Sequence, residues 1–148
     1  IHKMDKIDWC KKQNKGIKLV EQNLNLSIKY LDDANTDLET MLTLSGKWKN
    51  ITAYYACYNA LYAILQIIGI KCEIHDCSIA LMDIIHLFNK EDYEFLKTLK
   101  LERINVQYYL KVPKTINEIN VKEFVLKAKH IAQTITELDI INIRKKLN

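Results

Sequence analysis

Arg103 is the residue whose chemistry fits its predicted surroundings least. The apolar residues around it recur every three or four positions, and Arg103 falls in the middle of the face formed by Leu96, Leu99, Val106 and Leu110. A buried guanidinium needs a partner, because an unpaired buried charge is strongly destabilising. Its candidate partners are an acid of the helix predicted over about residues 25–44, Asn59, a tyrosine hydroxyl or an incoming phosphate. Arg103 is therefore either an internal tie between helices or an anion contact at a cleft or dimer seam.

Arginine is scarce in this chain, which strengthens the case that Arg103 is present for its guanidinium group. Of 22 basic residues, only Arg103 and Arg144 are arginines. The guanidinium is a planar, permanently charged group that suits phosphate and carboxylate better than lysine does. An arginine kept in a background that favours lysine therefore indicates a use for that geometry.

Tyrosines are concentrated in the stretch AYYACYNALYAIL, residues 53–65. Tyr54, Tyr58 and Tyr62 fall at i, i+4 and i+8 and share one helix face, with Tyr55 beside them. Asn59 is the amide among them. A tyrosine packs a large apolar ring while its hydroxyl reaches a polar partner. The stripe is either a core with satisfied hydroxyls or the lining of a subunit interface or polar cleft.

The segment CEIHDC, residues 72–77, is the one place where metal ligands gather. A structural zinc site usually takes four ligands from two separated pairs, and Cys72, His75 and Cys77 have no second pair beyond a weak His86. We therefore expect no metal and no cofactor. Asp76 and Ser78 are typical helix-start residues. His130 is predicted to be a plain surface histidine.

The elements that position these residues are predicted to be long helices, because the chain has only three Gly and one Pro. Periodic apolar positions predict helices over about residues 5–13, 25–44, 49–69, 91–111 and 121–147, and another from about residue 76. No strand-like alternation is visible. The sequence predicts one domain, residues 1–148, folded as an all-α antiparallel bundle of five to six helices.

Bulk properties exclude several classes of protein. The net charge of +4 is mildly basic, well short of a nucleic-acid-binding stripe. The chain has no run of 18 apolar residues, so the sequence predicts no membrane span. Without an export signal, we expect a cytoplasmic protein whose four cysteines are reduced.

Longer stretches of the chain resemble a known family. The segment WKNITAYYACYNALYAILQIIGIKCEIHDCSIALM resembles the core of prokaryotic HEPN-domain proteins, and LERINVQYYL resembles the closing part of that domain. The segment DWCKKQNKGIKLVEQNLNLSIKYLDDA is similar to the entry of one small HEPN subfamily. The resemblance covers about residues 9–111, and the last predicted helix fits the same architecture.

The resemblance implies a helical bundle that dimerises, with two copies of the arginine-bearing helix forming a shared cleft. Many HEPN proteins are metal-independent ribonucleases, whose signature is an arginine followed after four to six residues by a histidine. These members often act as toxins paired with a small nucleotidyltransferase antitoxin. Members without the signature are thought to bind RNA, nucleotides or a partner protein.

Carried onto this chain, Arg103 matches the signature arginine, whereas Tyr108, Tyr109 and Leu110 stand where the histidine would be. A tyrosine side chain ionises near pH 10 and is a poor general acid or base at neutral pH. The resemblance therefore implies a dimeric, RNA-, nucleotide- or partner-binding protein of a toxin–antitoxin-like pair. Its binding residues would be Arg103, Tyr108, Tyr109 and Asn59.

One further expectation belongs to this hypothesis, and two other hypotheses compete with it. The dimer seam is predicted to include Tyr54, Tyr58 and Tyr62. The competing enzyme hypothesis is a metal-independent endoribonuclease that uses Arg103 with Tyr108 as catalytic residues. A third hypothesis is a purely structural interaction module.

Overall fold

A computed structural model describes the backbone of residues 3–148 and the side chains of residues 5–148. Within this part, the helices are α1 (Lys3–Lys12), α2 (Leu24–Thr43), α3 (Lys47–Ile68), α4 (His75–Ala80), α5 (Lys90–Gln107), α6 (Glu118–Thr134) and α7 (Glu137–Leu147). The short strands are β1 (Lys18–Leu19) and β2 (Ile70–Lys71), and a 3-10 turn covers Leu81–Asp83. The predicted all-α bundle is confirmed, with seven helices in the described part rather than five to six.

Helix α3 is the central element of the bundle. It packs against α2, α5 and α6, and nearly every residue from Ala53 to Ile68 is buried or half-buried. By length and composition alone α3 could also cross a membrane, but 78% of its most apolar window is buried inside the protein. Such burial is expected of a core helix.

Helix α2 begins and ends within one residue of its predicted bounds. Asn23 caps it by accepting a hydrogen bond from the Leu26 N–H. Its apolar residues Leu24, Ile28 and Leu42 are more than half exposed. The residues fully turned to the core are Ser27, Ala34 and Met41. The small Ser27 lies against α3 and donates to the carbonyl of Ala63.

The connector before α2 is extended, and it pairs with the segment after α3. Lys18 aligns with Lys71 and Leu19 with Ile70 in an antiparallel ladder. The expectation of no strands is therefore wrong in this small respect. Two residues are too few to produce an alternating pattern in the sequence.

Helix α4 begins next to its predicted start and ends after six residues, at Ala80. It begins at His75 without a side-chain cap, so the expected capping by Asp76 or Ser78 is wrong. Both side chains have other partners. The Asp76 carboxylate pairs with Lys100 on α5, and the buried Ser78 hydroxyl binds Tyr58 and the Cys72 carbonyl.

The predicted bounds of the last two helices, over about residues 91–111 and 121–147, need correction. Helix α5 ends at Gln107, and Leu110, which was expected in the core, is 76% exposed with a left-handed φ of 52°. The predicted single last helix breaks at Ile135. Thr136 and Asp139 then form a capping box that starts α7. The break turns Leu138 to solvent, where it is 66% exposed.

The cysteines are not all free thiols. Cys10 in α1 and Cys77 in α4 form a disulfide, with their Cα atoms 5.7 Å apart, whereas Cys57 and Cys72 are free and buried. The expectation of four reduced cysteines is therefore wrong for this pair. The two residues are 67 positions apart in the chain, so their spacing alone could not predict that they meet.

Candidate functional site around Arg103

Arg103 lies on the buried face of α5, as its position between Leu99 and Val106 predicted. Only 8% of the residue is exposed. Its guanidinium Nη1 donates to the Tyr55 hydroxyl at 3.1 Å and, over a longer distance of 3.5 Å, to the Gln107 side-chain carbonyl. Of the expected kinds of partner, a tyrosine hydroxyl is the one found.

Aromatic rings surround the rest of the guanidinium. Its Cζ atom lies 4.9 Å from the ring centroid of Tyr54, 5.5 Å from that of Tyr55 and 5.9 Å from that of Tyr108. Such contacts between a cation and ring faces are favourable, and more so when they are desolvated. They do not replace a counter-charge.

The hydrogen bonding of Arg103 is incomplete. Among residues 5–148 no carboxylate forms an ion pair with Arg103, and its Nε–H is buried without an acceptor. Nη2 makes no hydrogen bond to a described residue either, yet it is not fully enclosed. The guanidinium therefore retains hydrogen-bonding capacity and one uncompensated positive charge.

His75 also belongs to this cluster, although its position in the sequence suggested a metal ligand beside Cys72 and Cys77. Its Nδ1 lies 2.8 Å from the Tyr54 hydroxyl, and its ring stacks on Tyr58 with centroids 4.0 Å apart. Desolvation lowers the pKa of His75 most, and the positive charges of Arg103 and Lys100 lower it further, while Asp76 raises it. The imidazole is therefore neutral at neutral pH.

The tyrosine stripe of α3 points largely inwards. Tyr54 has no exposed surface and Tyr58 is 7% exposed. Their hydroxyls have partners within the chain, since Tyr58 donates to Ser78 and Tyr54 pairs with His75. Their place in a dimer seam stays a prediction. Burial raises the pKa of both phenols, so both stay protonated.

Tyr62 is the half-buried member of the stripe, and it reaches the surface at a shallow groove. The groove has a volume of about 290 Å³ and is lined by Tyr30, Tyr55, Tyr58, Asn59, Tyr62, Cys72, Glu73 and His75. The Tyr62 hydroxyl accepts from the Cys72 backbone N–H. The Asn59 amide donates to Asp37 at 2.9 Å, so Asn59 borders the groove with its N–H group already engaged.

Tyr108 and Tyr109 follow α5 at its C-terminal end, and they are 64% and 68% exposed. Tyr108 contacts the guanidinium of Arg103, as noted above, whereas Tyr109 has no ring contact or side-chain hydrogen bond with the described residues. The structure thus brings Tyr108 to Arg103 and leaves Tyr109 outside the cluster.

The CEIHDC segment does not assemble a metal site. Cys77 is bonded to Cys10, the Cys72 thiol donates to the Ile74 carbonyl, and His75 belongs to the tyrosine cluster. Across the part of the chain described, no three His, Cys, Asp or Glu side chains are grouped to hold a metal ion.

Comparison with known proteins adds no further assignment. No protein-family model matches the chain, and no curated protein matches it. The site is therefore interpreted from its own geometry: a buried arginine with an unmet charge, a neutral imidazole, protonated phenols and a neighbouring aromatic groove. Two residues of the cluster, His75 and Tyr55, were noticed in the sequence only as a candidate metal ligand and as a neighbour of the tyrosine stripe.

Proposed function

We propose that this protein is a HEPN-type helical protein that binds RNA or a nucleotide through a phosphate at Arg103, and that it is a homodimer with weak or no nuclease activity. The observation that carries the proposal is the burial of Arg103 without a carboxylate. An incoming phosphate would supply the missing charge and accept hydrogen bonds from the guanidinium, which is a charge-assisted and therefore strong interaction.

The groove beside the cluster supports a nucleic-acid ligand over a bare anion. Aromatic side chains stack on bases irrespective of their sequence, and Tyr55 both lines the groove and binds Arg103. The exposed ring of Tyr108 offers a second stacking surface next to the guanidinium. One nucleotide could therefore stack its base on these rings and bind Arg103 through its phosphate.

The same geometry disfavours efficient cleavage. A general acid–base catalyst works best with a pKa near the working pH, and tyrosine side chains ionise near pH 10. The one histidine of the cluster, His75, already uses Nδ1 with Tyr54. The proximity of Tyr108 to Arg103 is the observation that favours the alternative, a metal-independent endoribonuclease that uses this pair.

An exposed apolar face on α5 supports the proposed dimer. Leu101, Ile104 and Tyr108 are spaced by three and four residues and lie on one side of the helix. Leu101 is 58% exposed and Tyr108 64% exposed, next to the Arg103 cluster. A second copy of α5 on this face would cover these side chains and border the cleft. A minimal nucleotidyltransferase is the proposed partner protein.

Binding and cleavage of single-stranded RNA in EDTA test the proposed function. We compare the wild type with Arg103→Ala and Arg103→Lys, and with Lys122→Ala as a control that removes one exposed charge from α6. Loss of one charge-assisted contact predicts roughly 10- to 100-fold weaker binding for Arg103→Ala. Lys122→Ala should bind RNA as the wild type does.

Each outcome separates the three hypotheses. RNA binding without cleavage, lost in Arg103→Ala, supports the proposal. Cleavage that both Arg103→Ala and Tyr108→Phe abolish supports the endoribonuclease. If Arg103→Ala changes only the free energy of unfolding, the structural interaction module is supported and the proposed function is wrong.

A further inference from the structure

The hydrogen bond between Tyr54 and His75 fixes where the imidazole carries its hydrogen. Tyr54 is fully buried, and His75 Nδ1 is the one acceptor that its hydroxyl meets among residues 5–148. Burial raises the pKa of Tyr54, so the phenol keeps its proton. A buried O–H that fails to donate is destabilising, so Tyr54 donates to Nδ1. A neutral His75 must then carry its hydrogen on Nε2.

The Nε2–H group is held in place and unused. Stacking on Tyr58 fixes the imidazole plane, and no described residue forms a hydrogen bond with Nε2. The half-buried ring lines the groove next to Tyr55, whose hydroxyl binds Arg103. His75 thus holds a fixed, uncharged donor in the same tyrosine cluster as the guanidinium, since both groups contact Tyr54.

Two cations lie near His75, Lys100 and Arg103, and Arg103 is the one left to pair with a ligand. Lys100 is already paired with Asp76 at 2.9 Å, and Glu73 places an exposed carboxylate on the rim of the groove. Arg103 has no such partner among the described residues. A phosphodiester carries a single negative charge, whereas a terminal phosphate carries about −1.5 to −2 at pH 7. The second charge of a terminal phosphate would be unpaired and would be repelled by the carboxylates.

We propose that His75 is a further ligand-binding residue of the Arg103 site, held by Tyr54 as a neutral Nε2–H donor, and that the site takes a singly charged phosphodiester rather than a terminal phosphate. The guanidinium meets the charge of the linkage, and Nε2–H donates to an oxygen of the linkage or of the adjoining ribose. The inference rests on the proposed function and narrows its ligand to an internal phosphodiester.

Two small ligands test the charge selection. The dinucleotide uridylyl-uridine carries one phosphodiester, and uridine 5′-monophosphate carries the same base with a terminal phosphate. Calorimetry at pH 7.5 should show tighter binding of the dinucleotide, and Arg103→Ala should weaken it. If the monophosphate binds as tightly or more tightly, this inference is wrong while the proposed function stands. If neither ligand nor longer RNA binds, both are wrong.

Substitutions of His75 test the donor itself. His75→Gln can place an amide N–H near the position of Nε2, whereas His75→Asn keeps an acceptor for Tyr54 but cannot reach the groove. We expect His75→Gln to bind the dinucleotide nearly as the wild type does and His75→Asn to bind it about tenfold more weakly. Thermal unfolding of both variants shows whether they are folded. Equal binding by folded His75→Asn and wild type would overturn the assignment.

A direct measurement on the wild type keeps the inference testable even if these variants unfold. The nitrogen-15 shifts of the His75 ring report which nitrogen carries the hydrogen. We expect hydrogen on Nε2 in the wild type and a mixture of both tautomers in Tyr54→Phe. Hydrogen on Nδ1 in the wild type would contradict the inference.

Discussion

Arg144 on α7 binds the backbone at Gly69, the residue that caps the C-terminal end of α3. Its Nη1 lies 2.9 Å from the carbonyl oxygen of Gly69, and it also contacts those of Val20 and Ile68 at 2.9 and 3.1 Å. The carbonyls at the end of a helix lack partners within the helix, so this guanidinium satisfies them and joins the C-terminal helix to the connector before α2. Of the two arginines, Arg144 is the structural tie.

Gly69→Ala is expected to destabilise the protein strongly. Gly69 has a φ of +88°, and a Cβ there would lie 2.5 Å from the Val20 carbonyl oxygen and 2.4 Å from Arg144 Nη1. The left-handed conformation alone costs a non-glycine residue about 1 kcal/mol, and the clash with the backbone adds to it. Urea unfolding should show a loss of at least ~2 kcal/mol. Gly46→Ala is the matched control, because Gly46 also has a positive φ but its Cβ would meet no atom within 4 Å.

Reduction of the Cys10–Cys77 disulfide should also lower the free energy of unfolding. The bond closes a loop over 67 positions, and a crosslink of that span is expected to contribute up to ~4 kcal/mol by restricting the unfolded chain. Urea unfolding with and without dithiothreitol measures the difference. Cys10→Ser should reproduce the effect of the reductant and respond to it no further, and an equal response in the variant would contradict a role for this bond.

The pH dependence of His75 follows from its lowered pKa. Because the folded pKa lies below the ordinary value of 6.5, the unfolded chain binds the proton more readily between the two values. The resulting stabilisation is present above pH 6.5 and is lost as the pH falls through the folded pKa. Nuclear magnetic resonance should show His75 titrating below 6.5 and Arg103→Met raising its midpoint. An unshifted midpoint would contradict the proximity of the two groups.

A charge on the exposed face of α5 should dissociate the proposed dimer. Leu101→Glu places a carboxylate on the face formed by Leu101, Ile104 and Tyr108, where a second copy would bury it. Burial of an unpaired charge is costly, so sedimentation should show a monomer. Leu126→Glu on α6, at a residue that is 53% exposed, serves as the control and should leave the dimer intact. A wild-type protein that sediments as a monomer would refute the dimer outright.

The sequence predicted the long helices because their apolar periodicity and their capping residues agree. The bounds of α2 and α3 are right to within about two residues. The burial of Arg103 was equally predictable, since it follows from the register of α5 alone. Leu110 was misplaced because the sequence does not show that α5 ends before it and that the chain turns with a positive φ there.

The parts of the site that could not be predicted depend on tertiary contacts. His75 is 28 residues from Arg103 in the chain, and only the packing of α4 beside α3 and α5 places both groups against Tyr54. The sequence could not show which surface the tyrosine stripe faces, for the same reason. Periodicity shows that Tyr54 and Tyr58 share a face, but not whether that face meets α4 or a second chain.

The affinity of Arg103→Met for single-stranded RNA, measured in EDTA beside its free energy of unfolding, tests the central claim most directly. Methionine fills a similar volume without charge, so a folded variant isolates the guanidinium. We predict RNA binding at least about tenfold weaker than in the wild type, with stability unchanged or increased because a buried unpaired charge has been removed. Unchanged RNA binding together with a large loss of stability would show that Arg103 is an internal tie, and would contradict the account.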